Sequence, residues 1–308
     1  MTTHDRVAAS PPTGNIYDLG YRHYEGTRHG RLYAIWSLYV ESLRAVWGFG
    51  RPMTAKAAPF IILGLYSLMA IVQLAFSSFF AQAIANGESP TLFTYANYFA
   101  SLSPFIVFFC IAQGPEMVCR DQRYSVLPLY LTRALNATDY IIAKIGAFTT
   151  GLFIALMLPM VALFFGDILM KADALKAIGD ELPKALPAIP ACLLIALSLS
   201  TISLALSSFS PRRAYAAMGL VAYFLIFEAV LLAVFQMGRR ADWDFAERIK
   251  LLGPTSNLSG ANEWFFGGRL DPRSWSTVLG SDAYLMAAAI SIAVFTAILL
   301  LRYRGIRS

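Results

Sequence analysis

The side chain best placed to do chemistry in this sequence is Glu228, because it is the one ionisable residue inside the long apolar run Ala214 to Gly238. A carboxyl group within a membrane-spanning segment is costly, so it needs a partner or a task. Two interpretations stay open. Glu228 lines or gates a polar path through the membrane, or it makes a structural hydrogen bond to Gln73, Gln113 or a serine of a neighbouring helix.

A second candidate is the charged segment between two apolar runs, CRDQRYSVLPLYLTRALNATDY, residues 119–140. Leu127, Leu131 and Leu135 recur every four residues and predict one apolar face of a short helix at about residues 126–135. The charged residues around this stripe are Arg120, Asp121, Arg123 and Arg133. An apolar centre with a charged rim is typical of a docking surface. The alternative is a helix that rests on the membrane surface.

The sequence lacks the residue patterns of nucleotide hydrolysis, metal binding and nucleic-acid binding. A phosphate-binding loop of the G-x-x-x-x-G-K-[ST] type needs a glycine before its lysine, and no lysine here follows a glycine. The three histidines, His4, His23 and His29, lie in the N-terminal tail, and the three cysteines, Cys110, Cys119 and Cys192, are scattered. We therefore predict no catalytic residue, no metal site and no cofactor site in this chain. No basic groove or base-stacking platform points to nucleic acid.

The composition is that of a membrane protein. The chain is 57% hydrophobic and 14% charged, whereas about 25% of residues are charged in soluble domains. About 20 apolar residues cross the hydrocarbon, and six long apolar runs predict six spans. Their expected bounds are 59–83, 92–115, 142–165, 187–209, 214–237 and 283–302. We expect an all-α integral membrane protein with one six-span domain over residues 57–303.

The flanking segments complete the predicted organisation. Residues 1–30 are expected to form a polar tail. Residues 31–50 are expected to form an amphipathic helix in the membrane interface, whose apolar face holds Leu32, Ile35, Trp36, Tyr39, Leu43, Val46 and Trp47.

The basic residues indicate the topology. If both termini are cytoplasmic, 16 of the 25 Lys and Arg residues lie in cytoplasmic segments. Residues 239–282 then form an external loop, with a short helix stopped at Gly253-Pro254. Lys144 is expected to extend to the lipid headgroups.

The run PEMVCRDQRYSVLPLYLTRALNATDYIIAKIGA, residues 115–147, resembles the loop between the second and third spans of type-2 ABC exporter permeases. The matching positions are Asp121, Arg123, Leu129, Leu131, Arg133, Asp139, Tyr140 and Lys144. The family often has proline where this chain has Ala134. The amphipathic first helix, the six spans and the outer fifth loop also fit, so the resemblance covers most of the chain from about Arg31.

The resemblance implies a permease subunit in a bacterial cytoplasmic membrane that carries no ATPase of its own. Two permease subunits, identical or homologous, would pair with two ATP-binding subunits, which hold the ATP and Mg²⁺. The helix at 126–135 would couple ATP-driven closure to the spans, and an amphipathic, lipid-like or drug-like cargo would move outward. A secondary transporter and a polytopic assembly factor or enzyme remain the alternatives.

Overall fold

The computed structural model describes Gly26, residues 29–83, Tyr95, and residues 98–133, 135–169, 173–243, 245–267 and 279–305. All regular structure in these ranges is helical, which confirms the predicted all-α class. Most of the predicted tail 1–30, and residues 268–278 of the predicted external loop, lie outside the described residues.

The helices follow the chain in the order α1 (Arg31–Val46), α2 (Met53–Ala83), α3 (Tyr98–Arg123), α4 (Leu127–Arg133), α5 (Ala137–Leu169), α6 (Ala174–Ala185), α7 (Ala188–Ser207), α8 (Arg213–Val221), α9 (Glu228–Arg240), α10 (Ala246–Ile249), α11 (Pro254–Phe265) and α12 (Ser281–Arg304). A π-helical turn at Ala222–Phe227 joins α8 to α9, and a 3₁₀ turn at Lys250–Leu252 follows α10.

Five helical stretches within the described residues are long and apolar enough to cross a membrane. They are Lys56–Phe76, Ala137–Leu169, Leu175–Ser207, Arg213–Arg240 and Ser281–Arg304. These stretches indicate a membrane protein. The predicted second span, 92–115, is not among the five: residues 92–94, 96 and 97 lie outside the described residues, and the remainder falls in α3.

The core forms around α7, which packs against α3, α5, α8, α11 and α12. Small and aliphatic residues on successive turns of α7, among them Ala191, Ile195 and Leu199, are fully buried. Close approach of helices is favoured by such small residues, and Gly114 of α3 shows why: a Cβ there would lie 3.1 Å from the Cβ of Ser203. Helix α7 therefore packs closely against its neighbours and fixes their positions in the bundle.

The amphipathic helix α1 packs along α5, which the sequence did not predict. Its buried side chains are Leu38, Ser42 and Val46, and a Cβ on Gly151 would come within 2.7 Å of Val46. Leu32 and Trp36, which belong to the predicted apolar face, are exposed instead. The buried face of α1 therefore differs from its most hydrophobic face. Ser42 lies on the buried face because its small side chain permits close packing.

The predicted external loop contains a helix that was not foreseen. Gly253-Pro254 ends the preceding 3₁₀ turn, as expected, but Gly253 is also the N-cap of α11 and Pro254 its first residue. Proline is well suited to the first helical position because its missing N–H would have no intrahelical partner there. Helix α11 packs against α12, α7 and α3, with Leu258 and Ala261 buried.

Candidate functional site

A polar network at one end of the helix bundle centres on Asp121, near the end of α3. Its Oδ2 atom accepts a hydrogen bond from the Tyr140 hydroxyl at 2.7 Å and lies 2.8 Å from Lys144 Nζ. Lys144 is buried, so the expectation that it extends to lipid headgroups is wrong. An ion pair away from water is maintained only with good geometry and further hydrogen bonds, and the Tyr140 hydroxyl supplies one.

The same network joins α3 to the ends of α7 and α12. The Gln122 side-chain amide donates to the Ser208 carbonyl at 2.9 Å and to the Tyr303 hydroxyl at 3.2 Å. Arg302 Nε donates to the same carbonyl at 2.6 Å. The Tyr303 ring packs on the Tyr140 ring, with 5.3 Å between centroids. The C-terminal carbonyls of α7, which have no intrahelical donor, are thus partly satisfied by side chains of two other helices.

Three further ion pairs, two of them made by Glu116, connect the helices around this centre. Glu116 of α3 pairs with Arg51, which precedes α2, at 2.8 Å, and also with Arg213 at the start of α8. Arg31 at the start of α1 makes a bidentate contact with Asp139, at 2.7 and 2.8 Å. Asp139 also accepts the Asn136 backbone N–H at 2.9 Å, which caps α5. These ion pairs and hydrogen bonds lie on or beside α1, α2, α3, α5, α7, α8 and α12, and we call them together the Asp121 network.

The predicted coupling helix is α4, and its orientation differs from the prediction. Leu127 and Leu135 are buried, at 5% and 6% exposure, and belong to the protein's own core. They cannot present the expected outward stripe, so that expectation is wrong for these two residues. Leu129 of α4 is exposed, at 66%. The side chains of Leu131 and Arg133 lie outside the described part of the structure.

The other predicted coupling residues separate into two groups. Asp121 turns inward to its network, whereas Arg120 and Arg123 are exposed on the last turns of α3. The chain then turns sharply at Ser125, whose φ of 52° is uncommon for a residue other than glycine. The Val126 N–H bonds to the Asp121 carbonyl at 3.1 Å. The start of α4 is therefore attached directly to the residue at the centre of the network.

A pocket of about 430 Å³ lies between α1, α3, α4 and α5. Its charged lining residues are Glu41, Arg51, Glu116, Arg120, Asp121 and Lys144. Four of them belong to the ion pairs above, while Glu41 and Arg120 form no ion pair with any described residue. Burial raises the pKa of the Tyr130 phenol at its edge, and the charges of Asp121 and Glu41 raise this pKa further. The pocket thus offers one carboxylate and one guanidinium to an incoming group.

Glu228 lies far from the Asp121 network in sequence and has partners that the sequence did not suggest. Its two carboxylate oxygens accept the backbone N–H groups of Thr255 at 3.1 Å and Ser256 at 3.0 Å. These are first-turn donors of α11 that no intrahelical carbonyl can satisfy, and a negative charge is favoured at a helix N-terminus. A Cβ on Gly253 would come within 3.0 Å of both carboxylate oxygens, so glycine allows this close approach.

The described residues include neither a metal-binding group nor an accessible thiol. No group of three or more His, Cys, Asp or Glu side chains there could hold a metal ion. Cys110, Cys119 and Cys192 are buried and unbonded to one another. Burial, with the nearby charge of Glu116, raises the pKa of Cys119 to about 11.

Comparison with known protein families and with curated proteins finds no match for this chain.

Proposed function

We propose that this chain is the membrane-spanning permease subunit of an ATP-binding cassette exporter of the type-2 class. The observation that carries the proposal is the attachment of α4. Helix α4 is anchored by Leu127 in the core, by Leu135 just after its end, and by the Val126–Asp121 bond, while its residue Leu129 is exposed. A helix held firmly on one side and open on the other is suited to receive a partner.

The proposed docking surface combines α4 with the adjoining ends of α1 and α3. Leu129 and Tyr124, both about two-thirds exposed, supply apolar area. Arg120, Arg123 and Glu41 supply charges around it. This surface replaces the leucine stripe expected from the sequence, and Leu131 and Arg133 remain proposed members of it. The partner would be an ATP-binding subunit that binds ATP and Mg²⁺.

Coupling would proceed through contacts that already exist in the protein. Movement of α4 would displace Leu127 and Leu135 in the core and shift the Asp121 backbone at the end of α3. Asp121 in turn holds Lys144 and Tyr140 of α5. Binding of ATP to the partner would thus shift the population between inward-open and outward-open arrangements, because the partner binds the two arrangements with different affinity.

The remaining parts of the proposal concern the membrane. We place six spans in the bacterial cytoplasmic membrane with both termini inside, and α1 at the membrane surface, where Leu32, Tyr33 and Trp36 are exposed. A second permease subunit, the same or homologous, completes the path. Glu228 is proposed to gate this path through α11, and the cargo to be amphipathic or lipid-like.

Purification from native membranes tests the proposal. The tagged chain should bring with it a protein that carries ATP-binding cassette motifs, and the reconstituted complex should hydrolyse ATP faster when cargo is supplied. A secondary transporter would instead move its cargo in vesicles under an ion gradient without ATP. An assembly factor or enzyme would show neither activity, and either outcome would replace the proposal.

A further inference from the structure

A cationic surface lies at the turn between α7 and α8, where it meets the end of α12. Arg212 is part of this turn, and Arg302 of α12 is held against it by the bond from Nε to the Ser208 carbonyl. The Arg302 guanidinium also lies 4.9 Å from the centroid of the Phe209 ring. Two arginines ninety positions apart in the sequence are therefore brought to one short turn. We call Arg212, Arg302, Phe209 and Tyr215 the arginine patch.

The cations of this patch have no acidic partner in the described part of the chain. Neither Arg212 nor Arg302 forms an ion pair with a described residue, and the same is true of Arg304. The acidic residues nearby are already engaged: Glu116 with Arg51 and Arg213, and Asp121 with Lys144. The patch therefore keeps a positive charge for a ligand from outside the protein.

The aromatic residues of the patch are exposed although they are large. Phe209 is 58% and Tyr215 54% exposed. Each lies beside an arginine, since Arg212 is 5.7 Å from the Tyr215 ring centroid. Aromatic rings and arginines together are typical of the headgroup level of a membrane.

The ends of the apolar stretches fix the depth of the patch. Leu175–Ser207 ends just before the turn, Arg213–Arg240 begins just after it, and Ser281–Arg304 ends at Arg304. Three of the five candidate spans thus begin or end beside the patch, which would place it at the membrane surface. A ligand there must combine an anionic group at the surface with apolar chains beside the spans.

We propose that the arginine patch binds the phosphate group of an anionic phospholipid. Arg212 and the free Nη groups of Arg302 would contact the phosphate, since a guanidinium binds phosphate through paired N–H groups. Phe209 and Tyr215 would pack beside the glycerol and upper acyl chain. This proposal does not depend on the identity of any ATPase or cargo.

Lipid retention by the purified chain provides the test. The protein is exchanged into nanodiscs of phosphatidylcholine with phosphatidylglycerol as the minor component, and bound phosphatidylglycerol is measured by native mass spectrometry. Wild type should retain phosphatidylglycerol, whereas Arg212→Gln and Arg302→Gln should each weaken retention about fivefold. Arg212→Gln is the key variant, because the Arg212 side chain makes no hydrogen bond or ion pair in the described structure and its loss should leave folding intact.

Matched controls distinguish the possible results. Arg239→Gln and Arg240→Gln remove exposed arginines from the end of α9 and should leave retention unchanged. Equal loss in the α9 variants would show a general charge effect and overturn the proposal, as would wild-type retention by Arg212→Gln. Inorganic phosphate is the second probe. Displacement of the lipid by millimolar phosphate at constant ionic strength would identify a free-phosphate site instead of a lipid site.

Discussion

The carboxylate of Glu228 accepts the backbone N–H of Ser256 at 3.0 Å and so closes the N-terminal end of α11. A side chain inside one candidate membrane-spanning segment thereby holds the start of another helix, 28 residues further along the chain. Gly253 permits this contact because it has no Cβ to meet the carboxylate.

The first prediction concerns this contact. Glu228→Gln should lower the stability of the purified protein by about 1 kcal/mol, because an amide has one oxygen acceptor for two backbone donors and carries no charge. Thermal unfolding in detergent measures the loss. The exposed carboxylate Asp180 on α6 provides the control, and Asp180→Asn should unfold at the wild-type temperature.

A transport assay separates the two roles of Glu228. If α11 gates the path, Glu228→Gln should assemble normally but transport poorly, and Gly253→Ala should act in the same direction because its methyl group would displace the carboxylate. Wild-type transport by both variants would leave Glu228 a structural role only.

The second prediction concerns α4. Leu129→Glu should reach the membrane but lose the ATP-binding subunit, because the new charge would be desolvated at the interface. A sequence-based expectation of the same outcome applies to Leu131→Glu, and charge reversal at Arg123 or Arg133 should act more mildly. Pull-down of the ATP-binding subunit checks all four.

Two other leucines serve as references in that experiment. Leu175 of α6 is 84% exposed, and Leu175→Glu should leave the pull-down unchanged. Leu127 is buried, so Leu127→Glu should fail to accumulate, because a charge in the core costs several kcal/mol. Normal recovery of the ATP-binding subunit with Leu129→Glu would refute the revised docking surface.

The third prediction concerns the buried pair Asp121–Lys144. Lys144→Met should destabilise the protein by less than the roughly 3–5 kcal/mol of a fully buried pair, since the Asp121 carboxylate, 15% exposed at the pocket, loses its cation. Asp121→Asn combined with Lys144→Met should recover most of that loss, because no charge then remains buried. Melting temperatures of Asp121→Asn, Lys144→Met and the double variant, compared with wild type, give a double-mutant cycle. Simple addition of the single effects would contradict direct pairing.

The fourth prediction concerns thiol reactivity and topology. All three cysteines are buried, and Cys119, with a pKa of about 11, holds almost no thiolate at neutral pH. Wild-type protein should therefore resist a membrane-impermeant maleimide. Ala241→Cys adds an exposed thiol after α9 and should be labelled in sealed cells. Labelling only after permeabilisation would reverse the proposed orientation.

The positions of the five candidate membrane-spanning helices could be predicted from the sequence, because long uncharged runs locate apolar helices directly. The sequence did not predict which face of each helix is buried. Four-residue spacing grouped Leu127 with Leu135 correctly, but spacing does not tell whether a shared face turns to a partner or to the protein's own core. The same limit applies to α1, where Trp36 is exposed and Ser42 is buried.

The contacts of the Asp121 network could not be predicted from the sequence, because they depend on how the helices pack. The sequence assigned Asp121 to a docking surface and Lys144 to the lipid headgroups, and only the packing of α3 on α5 shows that the two residues pair. Helix α11 was missed because Gly253-Pro254 is equally suited to the end of one helix and the start of the next. Its interaction with Glu228 depends on a tertiary contact that no local pattern records.

The π-helical turn at Ala222–Phe227 adds one residue to a span that is otherwise α-helical. One residue corresponds to about 100° of rotation, so Arg213 and Glu228 belong to two different helical registers. A helical wheel drawn with one period through the whole span would place Glu228 on the wrong side. In a homologous sequence, a one-residue deletion between these two positions would turn the carboxylate away from α11 unless the π turn were lost as well. The length of this interval, rather than the presence of a glutamate, would therefore indicate which homologues share the α11 contact.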